Sequence, residues 1–397
     1  MKNLYLYISN NEDFFLGTLS LSYVKGKEVF SFEFSDEYLK GNKNLLVDPL
    51  LSLYKGKQYN FKFINDMTPD RFGSLLIDKE EQINAIKENR PPKKLTLYDY
   101  LTRVNDLSRM GAIRIKEEID SRFINDTKDA IPPYIYLRDI EYASIQLEEN
   151  PNIDNDLYRR LLLPGSSLGG ARPKASVYID EDVYLAKFPS RNDSYDVELW
   201  EYIVLNIAKK CDIDVPDIKL DKYSSFGHTL LIKRFDRDKN KRIHYISGVT
   251  ALGTEDGNSG KYSYLDLVNF INSHCINIEN SLKQLYRRMV FNYLINNTDN
   301  HLRNHAFTST NDGLTISPLF DVNPSFSQSV FELPFGLGES KEGLINISKH
   351  FYLDEEQATK LYDSLKEIIV GSIIEYANKF PEIKKQADIL LKIIGHR

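Results

Sequence analysis

The chain has 397 residues, 42% of them hydrophobic and 27% charged, and a net charge of −6; this is the length of two or three domains and the composition of an ordinary globular protein. It excludes a surface that is basic throughout, as general nucleic-acid coating would need. Two cysteines in unrelated contexts, Cys211 and Cys275, exclude a disulfide framework or a cysteine-rich metal site. No run approaches the ~18 apolar residues of a membrane span, and MKNLYLYISN lacks the apolar centre of a signal peptide, so a reducing, cytoplasmic location is expected.

The first quarter reads as β structure. LYLYIS alternates, and VFSFEF puts Phe30, Phe32 and Phe34 on one side and Ser31 and Glu33 on the other, with Lys25-Gly26-Lys27 as a hairpin turn. NDMTPDRFGSLLIDKEEQINAIK then turns helical, with Thr68 as the expected cap and Pro69 at the first helical position. Asn89 to Lys94 is a break, and LTLYDYLTRVND is a second helix. A proline-containing bridge, IPPYIYLRDIEYASIQLEENPNIDNDLYRRLLLPG, leads to a new texture at 165. There GSSLGGARPK runs into the strand ASVYI, the turn Asp180-Glu181-Asp182 and the strand VYLAKF. VELWEYIVLNIAKK is helical, with Val197, Trp200, Val204 and Ile207 on one face and Glu198 and Glu201 on the other. HTLLIKRFD is another strand; the chain beyond it is mainly helical, as in SLKQLYRRMVFNYLIN and DEEQATKLYDSLKEIIV.

Several of these pieces carry side chains suited to phosphate chemistry. The glycines of GSSLGGARPK can turn successive N–H groups toward one anion, and Lys174 adds charge, although neither the Walker A nor the G-x-G-x-x-G spacing is present. Lys187 shares strand parity with Val183 and Leu185, so it points to their face and needs an anionic partner, either a phosphate or a glutamate such as Glu198 or Glu201. In NNTDNHLRNHAF, Asp299 and Asn304 have the D-x-x-x-x-N spacing of a kinase catalytic loop, and Asp321 follows in LTISPLFDV. Carboxylate and amide oxygens of this kind suit Mg²⁺ together with phosphate oxygens. Each signal also has a plain structural reading: turn residues and caps for the aspartates, a snorkelling edge lysine, a hairpin link for the loop. The run Lys233, Arg234, Arg237, Lys239, Lys241, Arg242 reads as a solvated linker, Trp200 as core, and the scattered histidines as lacking a third ligand at metal spacing. The order of the pieces (glycine loop, lysine strand, glutamate helix, charged linker, D-x-x-x-x-N, Asp) is the order of parts in a protein kinase.

In these motifs the chain resembles the HipA-like serine/threonine kinases, the toxins of bacterial HipBA-type toxin–antitoxin modules. SSLGGARPKA resembles their phosphate loop, YLAKFP the nucleotide-lysine strand, LIKRFDR the hinge, NNTDNHLRNHAF the catalytic loop and ISPLFDV the metal-binding segment, while NDMTPDRFGSLL and NDLSRMGAIRI resemble the accessory domain. The resemblance implies an α+β fold: an N-terminal β-rich accessory subdomain over 1–130, then a two-lobed protein-kinase-like domain. Its N-lobe with the phosphate loop would occupy 131–237, and its mainly α-helical C-lobe 238–397. It implies ATP and Mg²⁺ as cofactors, with Asp299 as catalytic base and Asn304 and Asp321 as metal ligands. Gly169, Gly170, Ala171, Lys174, Lys187 and Glu201 would serve the nucleotide phosphates, Lys233 to Phe235 the adenine and Asp236 the ribose. Autophosphorylation would fall on Ser167 or Ser166 and switch the kinase off. The implied partners are a protein substrate, such as an aminoacyl-tRNA synthetase, and a HipB-like antitoxin that brings DNA indirectly; no membrane is implied. Arg303 stands where the family usually has Lys, and His305 where an aromatic is more usual. The rival readings are a catalytically silent, kinase-shaped binding module acting through an antitoxin–DNA complex, and a kinase of the same fold acting on a small molecule.

Overall fold

The computed structural model describes residues 2–10, 12–41, 45–127, 130–149, 155–165, 170–239, 241–309, 313–327 and 330–397. They form an α+β protein of two compact units, one made of Met1–Asp193 and Asp221–Ile246, the other of Ser194–Leu220 and Ser247–Arg397. Among the described residues no helix is long and apolar enough to cross a membrane.

The first unit opens with a sheet in which β1 (Lys2–Ser9) lies between β2 (Asp13–Val24) and β4 (Ile113–Lys116), and β3 (Lys27–Phe34) pairs with β2, all antiparallel. The expected hairpin turn is present: Lys25 and Gly26 both have positive φ, 49° and 77°, the backbone whose twist matches that of the flanking strands. Inward side chains, among them Leu4, Leu6, Leu19, Phe32, Phe34 and Ile115, make the core of this sheet. Phe32 meets Phe34 and Phe63 edge-on, with centroids 4.9 and 5.4 Å apart, an arrangement that sets ring edge against ring face.

Two helices follow. α1 (Arg71–Lys87) starts later than the sequence suggests, because its N-cap is Asp70; Thr68 instead closes a short turn over Ile64–Met67, and Pro69 stays outside the helix. An aspartate outcompetes a threonine here because its charge also favours the positive helix end. α2 (Leu97–Arg103) has a full capping box between Thr96 and Asp99.

Further along, α3 (Leu137–Glu149) and α4 (Asn155–Gly165) precede β5 (Lys174–Ile179), which pairs with β6 (Asp182–Lys187); β6 pairs on its other side with β7 (Thr229–Lys233). One face of these strands, with Ala175, Val177, Tyr184, Ala186, Phe188 and Leu231, packs against α1 and α3. Side chains alternate along a strand, so Lys174, Ser176, Lys187 and Leu230 turn to the opposite face.

The basic run after β7 is not a solvated linker. The strands β8 (Arg237–Asp238) and β9 (Lys241–Arg242) form a small hairpin that turns Arg237 and Arg242 inward beside Arg234, all three buried, while Lys239 stays exposed. They meet Asp106, Asp236 and the backbone carbonyls of residues 106–111. Arg242 bonds Asp106; Arg237 bonds Asp236 and the carbonyls of Leu107 and Arg109; Arg234 reaches Asp236, the Ser108 carbonyl and Ser176 Oγ. The guanidinium fork satisfies several acceptors at once, which makes such burial tolerable.

The second unit is mainly helical: α5 (Val197–Lys210), α6 (Tyr264–His274), α7 (Ile278–Leu294), α8 (Glu355–Lys379) and α9 (Lys384–Gly395) are its longer helices. Trp200 is core, as expected, fully buried with its ring edge-on to Phe326 at 5.2 Å. A hairpin of β10 (Ala306–Ser309) and β11 (Leu314–Ile316) follows α7 and the loop after it. Cys211 and Cys275 are free thiols, pushed up to about 12 by burial.

Candidate active site

In the first unit, the face of β5, β6 and β7 turned away from the core carries Lys174 and Lys187 as direct cross-strand partners. Their side chains are only 4% and 5% exposed. Burial raises the cost of an ammonium's charge, so a face that buries two of them must supply acceptors. Gly170 lies against it with φ at 88°, and a Cβ there would stand 2.4 Å from Lys174 Nζ. That backbone conformation favours glycine, while the ammonium is the end of a flexible side chain. A phosphate fits such a cradle of lysine and close-lying backbone. Beyond Gly170, Ala171 is exposed and Arg172 makes a two-pronged pair with Asp193. Ser166, Ser167 and Gly169 lie outside the described residues.

The hinge residues divide. Lys233 ends β7 with its ammonium 2.7 Å from Asp182, and Phe235 is half-buried, its ring 6.2 Å from that of Tyr245. Asp236 does not fit the ribose role implied by resemblance. It is 1% exposed, and its carboxylate accepts from Arg234 Nε at 2.8 Å, from Arg234 and Arg237 guanidinium nitrogens at 2.7 Å and from Gly111 N at 2.8 Å. Although desolvation opposes it, the arginines beside Asp236 hold its carboxyl far below the usual range. Buried and bonded in this way, the carboxylate is not presented to a sugar hydroxyl.

In the second unit, the catalytic-loop residues follow from how α7 ends. The helix stops at Ile295, and Asn296 takes a left-handed conformation with φ at 58°, which asparagine tolerates. Of the five residues in NNTDN, four are buried. Asn296 Nδ2 donates to the Ser325 carbonyl, and Asn297 Nδ2 to Asn292 Oδ1. The backbone carbonyl of Thr298 accepts from Glu332 N. Asn300 makes a reciprocal pair with Leu333, Nδ2 to carbonyl and N–H to Oδ1, each 3.0 Å. The fifth, Asp299, has its side chain 72% exposed, with His301 Nε2 3.6 Å from one oxygen. Asn304 Nδ2 donates to the Asp299 carbonyl at 2.8 Å. The loop leads into β10, while β11 leads to Asp321. Because Phe307 pairs with Ile316 and Ser317 N bonds the Ala306 carbonyl, both segments leave the hairpin at one end. Asp321 is half-buried with φ at 53°.

The two departures from the family pattern have local explanations. Arg303 forms a two-pronged pair with Asp256. His305 is a buried aromatic in function, its ring edge-on to Tyr264 at 5.2 Å, and burial, with Arg288 nearby, pushes its imidazole down to about 3. Glu201 is buried on α5, and its carboxylate accepts from Asn323 Nδ2 at 3.5 Å. Sequence reasoning passed over Asp70, whose carboxylate reaches Gly170 N at 2.6 Å; an aspartate directly before a helical pattern was the signal.

Known proteins share this organisation. The family model of the HipA-like C-terminal domain matches residues 166–373. A Haemophilus influenzae protein named "Putative kinase" is 27% identical over 215 residues, which cover 47% of this chain and 62% of that protein, so the chain spans less than two thirds of its length. A Sinorhizobium fredii protein with the same designation is 26% identical over 322 residues, 75% of this chain and 72% of its own. The solved Shewanella oneidensis toxin–antitoxin complex of HipA, HipB and operator DNA contains a chain that superposes with a TM-score of 0.68 at 16% identity, covering 99% of this chain and 97% of that one. At that identity the likeness speaks for the fold. With just over half of its length matched by the family model, the chain belongs to the HipA-like family.

Proposed function

We propose that this protein is an ATP- and Mg²⁺-dependent serine/threonine protein kinase of the HipA type, acting in the cytoplasm as the toxin of a toxin–antitoxin pair. The observation that carries the reading is the catalytic loop. Asp299 stands exposed on a segment whose neighbours are buried and hydrogen-bonded, and Asn304 is tied to its backbone. A carboxylate mounted in this way is positioned to accept the proton of a substrate hydroxyl, and positioning supplies much of the catalysis in phosphoryl transfer. Asn304 Oδ1 and the Asp321 carboxylate are hard oxygen ligands, a set that Mg²⁺ completes with water and phosphate oxygens. Lys174, Lys187 and the backbone at Gly170 and Ala171 neutralise and orient phosphates, with Gly169 in the same loop, and the backbone from Lys233 to Phe235 takes the adenine.

The regulated group is a serine of the phosphate loop, Ser167 or Ser166. A phosphoserine there adds nearly two negative charges beside the donors that ATP phosphates use. The substrate is a protein of the translation apparatus, such as an aminoacyl-tRNA synthetase, and the partner a HipB-like antitoxin through which DNA is reached. The test is incubation of phosphatase-treated protein with Mg²⁺ and γ-labelled ATP beside the Asp299→Ala variant. Label on Ser166 or Ser167 in the parent alone is the expected result. No label, and no transfer to protein in a cell extract, sinks the reading.

A further inference from the structure

The first turns of α1 hold both sides of the loop assigned to phosphate. On the near side, Gly165 ends α4 so close to α1 that a Cβ would stand 2.9 Å from a Leu76 methyl and 3.3 Å from the Phe72 ring. On the far side, the Asp70 carboxylate splits its two oxygens: Oδ1 accepts from Arg71 N at 2.7 Å, capping the helix, and Oδ2 accepts from Gly170 N at 2.6 Å. The exchange is mutual, because Phe72 N, one of the helix-end donors with no partner inside the helix, donates to the Gly170 carbonyl at 3.1 Å. Gly170 is thus held through both of its backbone polar groups, in the left-handed conformation that keeps Lys174 Nζ beside it.

We propose that Asp70 is a positioning residue of the nucleotide site: it fixes the Gly170 backbone beside Lys174, so the N-terminal part of the chain sets nucleotide affinity. This rests on the kinase reading above. Asp70 touches neither nucleotide nor reacting atoms; it acts through the Gly170 amide. A hydrogen bond to a charged acceptor is among the stronger ones, so its removal loosens that amide measurably.

Three variants separate clamping from capping. Asp70→Ala removes both roles. Asp70→Ser can still cap α1, but its shorter side chain does not reach Gly170. Asp70→Asn keeps the length and one acceptor oxygen. Two readouts are taken on the full chain: hydrogen exchange of the Gly170 amide without nucleotide, and the dissociation constant for Mg²⁺–ATP. Expected are faster Gly170 exchange and an affinity about ten-fold weaker in the Ala and Ser variants, a Ser melting temperature close to the parent's, and an Asn variant between Ser and the parent in affinity, because its single acceptor oxygen serves either Gly170 N or Arg71 N. A Ser variant with the parent's exchange and affinity reduces Asp70 to a cap and overturns the proposal. Faster exchange with unchanged affinity overturns the coupling. A parent that binds no ATP brings down the kinase reading instead, and the exchange measurement still decides whether the clamp exists.

Discussion

Asp236 and Asp299 both look functional in the sequence, each in a charged stretch just after a regular element, yet their surroundings differ in every respect. Asp236 is buried with Arg234, Arg237 and, through the same knot, Arg242 and Asp106. Asp299 is the exposed member of NNTDN, whose other four residues are buried. In the knot the carboxylate is the compensating charge that keeps cations in the interior; in the loop the carboxylate stands mostly in solvent while its neighbours are buried. The same residue type is structural in the knot, and in the loop it is the one we propose for chemistry.

The largest expected effect breaks the loop side of this contrast. Asp299→Ala lowers single-turnover phosphate transfer by a factor on the order of 10²–10⁴, the usual worth of a positioned general base, with an unchanged melting temperature. A parental transfer rate removes Asp299 from the chemistry. Next comes the knot. Asp236→Ala leaves buried arginines without their partner and destabilises the fold by about 3–5 kcal/mol, read as a lower denaturant midpoint. A midpoint equal to the parent's means the knot is not what holds the hinge.

Acid distinguishes the regions further, since each has a buried histidine behind it. Burial pushes His244, next to the knot, down to about 4, and His305, behind the loop, down to about 3, from an ordinary 6.5. Both stay neutral in the folded protein while the unfolded chain takes up a proton below that ordinary value. Stability therefore falls as pH drops from about 6.5 toward about 4 for His244 and about 3 for His305, by ~1.4 kcal/mol per pH unit per proton. Asp236, held far lower, remains charged across this window. His305→Phe keeps the edge-on contact with Tyr264 and should flatten the slope by one proton; an unchanged slope means that His305 is protonated in the folded state. The smallest effect belongs to Arg303. Its pair with Asp256 is partly solvated, 26% and 54% exposed, so Arg303→Ala should shift stability by less than about 1 kcal/mol. A larger loss in chemical denaturation makes the pair part of the loop's support.

Much of the local architecture could be read directly. Alternation identified β1 and β3, a strand–turn–strand pattern β5 and β6, an apolar run β7, the Lys25-Gly26 pair a turn, and 3.6-residue periodicity α5 and α7, because these patterns need only neighbours a few residues apart. The motif order pointed to the right family for the same reason: each motif is short and contiguous. The start of α1 was misplaced at Thr68, with Asp70, the cap two residues on, passed over.

What linear spacing could not supply is the company each charge keeps. The basic run from Lys233 to Arg242 is half buried knot and half solvent because of residues 106–111, and Asp236 meets Gly111 across 125 positions of chain. Asp70 meets Gly170 across 100. Local sequence dictates backbone conformation through sterics and side-chain period; burial and pairing of ionisable groups depend on which distant segments are packed against them. That difference in range is why the strands, helices and motif order came from the sequence, while the fate of Asp236 and the clamp at Gly170 emerged only once the chain was folded.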